Sequence, residues 1–316
     1  MDYELRPLTR QNLPDLVHIF KGAFGGEPPI KALKAKYNTD VFGCEPIGYI
    51  AYSLADQEPA AYYGMFPILL NYEGKRILAA QSGDTMTLPK HQGKGLFTQL
   101  ARKTYETGTE KGIEFVFGFP NKNSMPGFSK KLDWKFEEDE MAFYKIKRIY
   151  LPFSMLAKVK SLAFIPSLMA NVGLRICGFR RTKLFENSIS DLDKNAKTIS
   201  HDSVFVNYKK PQSPDYHWIE KGKFKAWIKI THSLFVGDVG YNPALTEKEF
   251  KAKIYGLMRA TGCAVCFFSA SKGTWLEQLF ESSFKKEAGT PAGYLKLAGP
   301  SEGSGMQYVY ADFDTF

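Results

Sequence analysis

Apolar residues recur with strand and helix spacings along the first 147 residues of the chain. Residues 3–7 alternate as a strand does, and Leu16, Ile19 and Phe20 then recur at helical spacing until Gly25. The whole stretch predicts the order β-α-α-β-β-β-α-β-α-β. Its later strands fall at residues 46–53, 60–71, 77–88, 114–121 and 135–147, and its later helices at 31–37, 98–112 and 122–134.

A second block of strands and helices begins near His201. Thr246 stands three residues before Glu249, which is the spacing of a capping box, so a helix is predicted over 246–262. The other predicted elements are strands at 204–208, 224–239, 264–269, 294–297 and 306–313 and a helix at 274–284. Between the blocks, residues 149–185 are apolar, basic and interrupted by prolines, which predicts two short bridging helices. The predicted division is a domain at 1–147, a basic helical linker at 148–195 and a second domain at 196–316.

Residues 88–97, with the sequence LPKHQGKGLF, connect a predicted strand to a predicted helix. Glycines let a backbone come close to phosphate oxygens, and the unpaired N–H groups at a helix start attract anions. The pair Gly93 and Gly95 lacks the third glycine of a dinucleotide fingerprint and the Gly-Lys-Ser/Thr ending of a P-loop. The pattern alone therefore leaves two interpretations open, a plain turn, which is the commoner one, and a phosphate-binding loop of another kind.

This loop resembles motif A of the GNAT acetyltransferases, whose pyrophosphate loop reads Arg/Gln-x-x-Gly-x-Gly/Ala. Gln92, Gly95 and Phe97 fall on its three pattern positions, although Phe97 departs from the small final residue. Asn121 falls where the family's asparagine contacts the cofactor arm, and residues 122–134 resemble a helix ending in Lys-Leu-Gly-Phe.

The resemblance covers residues 1–147 and implies an α/β (α+β) GNAT fold with a mixed, mostly antiparallel sheet flanked by helices. Residues 196–316 are similar to a second, smaller GNAT-like α/β domain that has lost its glycine loop. Tyr241, Asn242 and Pro243 stand where that loop would be.

The resemblance also implies acetyl-CoA as co-substrate, with its pyrophosphate on the loop and its pantetheine arm along the preceding strand. A backbone N–H near Met86 or Thr87 would stabilise the oxyanion. The implied cofactor-binding residues are Met86, Thr87, Leu88, Gln92, Gly93, Lys94, Gly95, Leu96, Phe97 and Asn121.

Two catalytic candidates follow. Asp84, five residues before Pro89, is either the general base or a carboxylate bonded to nearby backbone. Ser124 either contacts the sulfur end of the cofactor or caps its helix. The family's acidic tyrosine aligns with Ser129, next to Phe128, and neither is a good acid.

Other polar residues of this region leave alternatives open. Gln81 and Ser82 could bind the acceptor instead of Asp84. His91 either touches the cofactor or faces water.

The net charge of +9 is concentrated in one segment. Between Met141 and Phe185 there are nine Lys or Arg residues and no Asp or Glu, and the rest of the chain is balanced. This distribution excludes a global nucleic-acid-binding charge. For residues 145–183 three interpretations stay open: a solvated linker, a peripheral contact with an anionic membrane, or a wall for an anionic substrate.

Cysteine and histidine usage predicts no metal site. Cys263 and Cys266 form a single CxxC inside an apolar run, which predicts strand residues with at least one in the core. The amino-terminal sequence lacks the pattern of a signal peptide, and no apolar run is long enough to span a bilayer, so a cytoplasmic protein is expected.

The resemblance implies an acyl-CoA-dependent N-acetyltransferase whose acceptor is a small-molecule amine, and it favours an amino sugar or a nucleotide-linked amino sugar. Two alternatives are a non-catalytic acyl-CoA-binding sensory module and an aminoacyl-tRNA-dependent two-GNAT transferase. The acceptor's identity and the oligomeric state do not follow from the sequence.

Overall fold

The computed structural model describes residues 2–137, 141–148, 164–182 and 196–316. The chain forms two compact units. The first unit comprises Met1–Glu138, Asp202–Ser213 and Pro291–Met306. The second unit comprises Asp139–His201, Pro214–Thr290 and Gln307–Phe316.

The strands and helices up to residue 136 follow the predicted order. They are β1 (Tyr3–Pro7), α1 (Leu13–Phe24), α2 (Ile30–Lys36), β2 (Ile47–Ser53), β3 (Pro59–Tyr72), β4 (Lys75–Thr87), α3 (Leu96–Glu110), β5 (Phe115–Gly118), α4 (Met125–Lys131) and β6 (Lys135–Phe136).

The later elements alternate less regularly. They are β7 (Met141–Lys147), α5 (Phe164–Ile176), β8 (Arg180–Arg181), β9 (Lys197–Ile199), α6 (Ser203–Lys209), β10 (Tyr216–Lys221), β11 (Phe224–Ile230), β12 (Leu234–Val239), α7 (Glu247–Thr261), β13 (Val265–Ala270), α8 (Trp275–Glu281), β14 (Lys286–Thr290), β15 (Gly293–Lys296) and β16 (Met306–Gln307).

The first unit is built on a sheet with the order β1-β2-β3-β4-β5-β15-β6. Its strand pairs are antiparallel except for β4 and β5, which are parallel. One hydrophobic cluster joins the sheet to α1 and α2 through Leu16, Ile19 and Phe66. Another cluster joins it to α3 and α4 through Leu100 and Phe128. This is the mixed, mostly antiparallel sheet flanked by helices that the sequence predicted.

The second unit has its own sheet, in the order β14-β7-β13-β12-β11-β10-β8. Here β12 and β13 are the parallel pair. Aromatic rings fill much of its core. Phe268 and Phe280 stack with centroids 3.5 Å apart, and Trp227 stacks on Trp218 at 5.1 Å. The second unit is therefore also an α/β structure, with its own sheet and core.

Two predicted strands differ from the prediction in the sheet to which they belong. The single strand predicted over 135–147 is two strands, β6 in the first sheet and β7 between β13 and β14 in the second. The strand predicted in the second domain at 294–297 is β15, which pairs with β5 and β6 of the first sheet. These units differ from the contiguous domains predicted at 1–147 and 196–316, because strand pairing brings together segments that are distant in sequence.

Three further elements differ from their predictions. The alternating residues 204–208 form the helix α6, because the Asp202 carboxylate accepts hydrogen bonds from the N–H groups of Val204 and Phe205 and caps it. The strand predicted over 224–239 is the hairpin β11–β12, turned at residues 231–233. The strand predicted over 306–313 shortens to β16 and is followed by one 3-10 turn, Tyr310–Asp312.

Two predictions for the later part of the chain can be compared with described elements. The capping box of α7 is confirmed, because the Thr246 side chain accepts from Glu249 N–H and the Glu249 carboxylate accepts from Thr246 N–H. Of the two bridging helices predicted over 149–185, α5 is described. The remainder of that prediction lies outside the described residues. No helix among the described residues has both the length and the apolar character needed to cross a membrane.

A buried histidine joins two carboxylates inside the second unit. His201 Nδ1 is 2.8 Å from Asp238 Oδ2, and its Nε2 is 2.7 Å from Asp312 Oδ1. Burial by itself lowers the pKa of His201, but Asp312 and Asp238 outweigh it and raise that pKa to about 10. The imidazolium therefore donates to both carboxylates at neutral pH and ties β12 to the Tyr310–Asp312 turn.

Replacing His201 by Gln should destabilise the second unit by about 3–5 kcal/mol, because it leaves buried carboxylates without their cation. The pKa of His201 rises from 6.5 to about 10 on folding. Its stabilisation is therefore complete below about pH 6.5 and is lost as the pH rises through about 10. Thermal unfolding of the wild type and the His201→Gln variant at pH 6 and pH 10.5 should show a Tm difference that shrinks at high pH.

His232→Gln provides the control, because this exposed histidine belongs to the same unit. A Tm difference for His201→Gln that stays constant between the two pH values would contradict the charged-imidazole assignment.

Candidate active site

The stretch between β4 and α3 contains two glycines in the left-handed region of backbone space. Gly93 and Gly95 both have φ of 76°. A Cβ on Gly93 would meet no atom within 4 Å, so space is not the reason for glycine there. The backbone conformation is the reason, because residues with a side chain adopt it only at a cost in free energy.

The loop presents unpaired backbone donors at the start of α3. Gly95 occupies the N-cap position, and no side chain caps the helix. No described residue accepts a hydrogen bond from the N–H groups of residues 93–98, and residues 92–95 are exposed. These N–H groups lie at the positive end of the dipole of a 15-residue helix. The geometry suits an anion such as a pyrophosphate.

Phe97 departs from the family pattern without crowding this loop. Its ring is half-buried and packs against Tyr63 and Phe128, with centroid separations of 5.9 and 5.2 Å. Gly127 of α4 makes room for it, since a Cβ there would lie 2.8 Å from the Phe97 ring. The large side chain therefore anchors α3 to α4 in the core.

His91 does not face water, which was one of the two roles that the sequence left open. Its ring is buried, with Nδ1 2.8 Å from the Tyr3 hydroxyl and Nε2 3.3 Å from Glu58 Oε2. Glu58 also forms a salt bridge with Lys90. His91 thus joins the loop to the neighbouring strands.

The edge of β4 that faces β5 is open over its last six residues. The parallel pairing of the two strands is confined to Ala80 with Val116 and Gln81 with Phe117. β4 continues along β3 as far as Thr87, whereas β5 ends at Gly118. The two strands therefore separate beside the glycine loop. On this edge of β4, the backbone groups of residues 82–87 do not pair with β5.

Three predicted cofactor-binding residues lie at the end of β4, namely Met86, Thr87 and Leu88. The hydrogen bonds between β3 and β4 set Thr87 apart from the other two. Leu88 N–H donates to Ala60 O at 2.9 Å, and Leu88 O accepts from His91 N–H at 2.9 Å. Because hydrogen-bonded pairs alternate in an antiparallel ladder, the Met86 backbone also faces β3 and the Thr87 backbone faces the open edge. Thr87 is thus the member of the set placed to pair with an extended ligand.

Asp84 lies in a bulge of β4 and faces α2. The register between β3 and β4 shifts at this point, and Asp84 has φ of 53°. One carboxylate oxygen is 2.7 Å from Lys36 Nζ, and the other accepts from the Tyr37 hydroxyl at 3.0 Å. The Asp84 and Lys36 side chains are each 15% exposed. Burial and the nearby Asp84 carboxylate raise the pKa of Tyr37 well above its usual value, so Tyr37 remains the donor.

Asn121 and Ser124 lie together at the start of α4. Asn121 Oδ1 accepts from the N–H groups of Asn123 and Ser124, at 2.9 and 3.0 Å. The Ser124 hydroxyl lies 3.3 Å from both oxygens of Asn121. Ser124 occupies the N-cap position of α4, but its own side chain makes no capping bond.

A buried chain of hydroxyl groups, which the sequence reasoning missed, ends at the open edge of β4. The Tyr63 hydroxyl is 2.8 Å from Ser82 Oγ and 2.7 Å from the Tyr105 hydroxyl. Burial raises the pKa of Tyr63, so it stays protonated. Phe128 is buried, and Ser129 is exposed on the same helix. Tyr63 looks like an ordinary core residue of an alternating strand, and no local signal separates it from one.

Sequence reasoning also missed Lys36 and Tyr37 as partners of Asp84. Both lie at the end of α2, 47 and 48 residues away from Asp84 along the chain.

The second unit has no equivalent loop among its described residues. The helix α7 is also 15 residues long, but the side chains of Thr246 and Glu249 cap its amino terminus. Cys263 and Cys266 are both buried free thiols, and burial raises the pKa of Cys266. The phosphate-binding geometry therefore belongs to the first unit.

Comparison with known proteins agrees with this placement. The model of the acetyltransferase (GNAT) domain family matches residues 4–136. The sequence has no match among curated proteins.

Several solved structures share the fold. A protein from Enterococcus faecalis is 14% identical, with a TM-score of 0.60 over 94% of this chain and 73% of its own. A GCN5-related N-acetyltransferase from Kribbella flavida is 13% identical, with a TM-score of 0.59 over 94% of this chain and 72% of its own.

A GCN5-related glucosamine N-acetyltransferase region of a fungal multi-domain GH3 beta-N-acetylglucosaminidase is 13% identical, with a TM-score of 0.55 over 93% of this chain and 38% of that chain. The family match and the shared fold agree with the exposed glycine loop and the open edge of β4. Residues 4–136 therefore form a domain of the acetyltransferase (GNAT) family.

Proposed function

We propose that the first unit transfers an acetyl group from acetyl-CoA to the amine of a small molecule. The observation that carries this proposal is the uncapped start of α3, whose exposed N–H groups lie beside the open edge of β4. A glycine loop alone would bind any phosphate. An open strand edge next to it also suits an extended arm that forms backbone hydrogen bonds.

The described residues fit the co-substrate in two places. The N–H groups of residues 93–98 would hold its pyrophosphate, and the Thr87 backbone would pair with the pantetheine arm. The Asn121 side chain stands at the next loop, where its oxygen already orders the turn before α4. Bound acetyl-CoA supplies the acyl group as a thioester. The protein contributes position, and N–H donors directed at the carbonyl oxygen.

We assign Asp84 as the general base that removes a proton from the acceptor. An amine arrives mostly as an ammonium ion and must lose a proton before its nitrogen can attack. The Asp84 carboxylate already binds one ammonium group, that of Lys36, at 2.7 Å. In this proposal the acceptor ammonium takes the place of Lys36, and Asp84 accepts its proton.

The departing thiolate has two nearby sources of a proton in this proposal. Ser124 is one, because its hydroxyl is ordered by Asn121. Ser82 is the other, because it lies on the open edge and is hydrogen-bonded to the buried Tyr63. Neither group alone is well matched to a thiolate, and the link from Ser82 to Tyr63 offers a proton from a phenol instead.

An amino sugar is the acceptor class that we favour. The fungal region with a similar fold is a glucosamine N-acetyltransferase, although a shared fold at 13% identity does not carry its substrate across. Glucosamine and its nucleotide-linked forms are therefore the first amines to test. A non-catalytic acyl-CoA-binding protein is the competing function, because Phe128 and Ser129 replace the family's acidic tyrosine. That protein would bind acetyl-CoA and release no thiol with any amine.

A carboxylate placed in the loop should abolish co-substrate binding. The Gly95→Glu variant directs a negative charge at the site proposed for the pyrophosphate, where the nearest side-chain atom to a new Cβ is 3.6 Å away. Calorimetric titration of acetyl-CoA should show an affinity at least tenfold weaker for Gly95→Glu than for Gly95→Ala. The Ala variant is the matched control, because it imposes the same backbone cost without the charge. Equal affinities of the two variants would contradict the assignment of this loop as the pyrophosphate site.

Removing the Asp84 carboxylate should slow transfer and leave co-substrate binding unchanged. The Asp84→Asn variant keeps the shape of the side chain, and asparagine tolerates its left-handed backbone. Thiol release from acetyl-CoA with the accepted amine should fall by about a hundredfold or more, as for the loss of a general base.

Asp133→Asn is the matched control for this prediction. Asp133 also has a positive φ, of 57°, and it is exposed on the surface. A rate for Asp84→Asn within a factor of two or so of the Asp133→Asn rate would exclude Asp84 as the base.

A further inference from the structure

The second unit contains a pocket of about 760 Å³ between α5 and the edge strand β8. Strand β8 pairs only with β10 in the sheet order, with Arg181 opposite Ile219 and Arg180 opposite Glu220. The volume falls in the range of small-molecule sites. The described residues that line it are Asn171, Val172, Leu174, Arg175, Gly178, Phe179, Arg180, Arg181 and Ile219.

No described carboxylate forms a salt bridge with the three arginines that line this pocket. Arg175, Arg180 and Arg181 form no salt bridge with any described residue, although Glu220 stands across the ladder from Arg180. Arg181 is oriented by a hydrogen bond from its Nη2 to Asn171 Oδ1. Cations that line one pocket repel one another, and an anion between them would reduce that repulsion.

Other cations around the pocket add to its positive charge. Lys221 Nζ donates to Cys177 O at 2.6 Å and lies 5.2 Å from the centre of the Phe179 ring, which lines the pocket. Burial, with a further contribution from Arg181, lowers the pKa of His217 to about 4, so His217 carries no charge at neutral pH. Burial and then Lys221 lower the pKa of Lys253. Among these three residues, Lys221 is the one that lies against the pocket lining and adds positive charge there.

The remaining lining is apolar. Val172, Leu174, Phe179 and Ile219 form this part, and Leu174 and Phe179 are buried. Val172 is 50% exposed, and Ile176, one turn further along α5, is 79% exposed. Apolar side chains exposed beside a charged pocket are typical of sites for ligands that have both characters.

We propose that this pocket binds an organic phosphate, with the phosphate on the three arginines and the organic part against the apolar lining. A phosphate monoester matches the site better than a single carboxylate, because it offers three oxygens and close to two negative charges to several guanidinium groups. The same chemistry is found in a free phosphorylated metabolite and in the headgroup of an anionic lipid.

For the basic segment 145–183, this proposal favours the two interpretations in which its cations bind an anion. Lys145 lies 5.5 Å from the ring centre of Phe267, and Arg148 lies 4.1 Å from that of Tyr255, so both are placed over aromatic rings. Lys158, Lys160 and Lys183 lie outside the described residues. Of the described cations in the segment, the three pocket arginines are the ones gathered around a cavity.

The test uses the full chain and two probes. The first is calorimetric titration with hexyl phosphate, a soluble monoester with a short apolar tail. The Arg175→Gln/Arg180→Gln/Arg181→Gln variant should bind it at least tenfold more weakly than the wild type. The matched control, Lys225→Gln/Lys248→Gln/Lys251→Gln, removes the same charge from exposed lysines of the second unit and should bind as the wild type does.

A second variant keeps the proposal testable if the triple arginine variant folds poorly. Val172→Trp fills the pocket from the exposed side of α5 and leaves every charge in place. It should also weaken hexyl phosphate binding at least tenfold. Circular dichroism and Tm identify a folding defect in either variant.

The second probe separates the two sources of phosphate. Vesicles of phosphatidylcholine alone are compared with vesicles containing a quarter phosphatidylglycerol. Arginine-dependent sedimentation with the anionic vesicles would identify a lipid headgroup, and hexyl phosphate binding without sedimentation would identify a soluble phosphate. Failure of the wild type to bind either probe overturns the proposal, as does binding that the arginine and Val172→Trp variants retain. None of these measurements involves acetyl-CoA, and repeating the titration in the Gly95→Glu background separates binding at this pocket from phosphate binding at the glycine loop.

Discussion

The candidate site of the first unit depends on backbone N–H groups at the start of α3 that donate to no described residue. Side chains cap the starts of α6, α7 and α8, as Thr246 and Glu249 do for α7. The helix α3 has the same length, but it begins at a glycine with no cap. Its open end is held in place by the surrounding structure. Phe97 anchors the first turn in the core, and His91 joins the loop to Tyr3 and Glu58. In the proposed function, an anion would supply the acceptors for these N–H groups.

Local signals in the sequence were sufficient for this loop and insufficient for the residues around it. Glycine at positive φ and the strand–loop–helix order are readable within about 20 residues, and both are present as predicted. The partners of Asp84 are not readable in this way, because Lys36 and Tyr37 reach it from a distant helix across a bulge in β4. Residues 204–208 show the opposite failure, since their alternation indicates a strand and one cap, Asp202, makes them a helix.

The charged side chains of this chain occur in two contrasting arrangements. Around Asp84 and around His201, opposite charges meet within 2.8 Å and are withdrawn from solvent, so each is held in one geometry. In the pocket beside α5, charges of one sign are gathered with no described counter-ion. Paired charges fix the positions of side chains, whereas unpaired charges attract a ligand of opposite charge. The same chain thus contains both a rigid electrostatic arrangement and a receptive one.

Strand β15 has a consequence for how the protein is made. It lies between β5 and β6 of the first sheet, yet residues 293–296 follow the whole of the α7–β14 region in the chain. During synthesis, the first 147 residues emerge with one edge of β5 unpaired, and that edge stays open until almost all of the chain has been translated. An open edge invites pairing with other strands. A growing chain therefore has to protect this edge for the time that the ribosome needs to add about 150 residues, on the order of ten seconds or more at typical rates of synthesis.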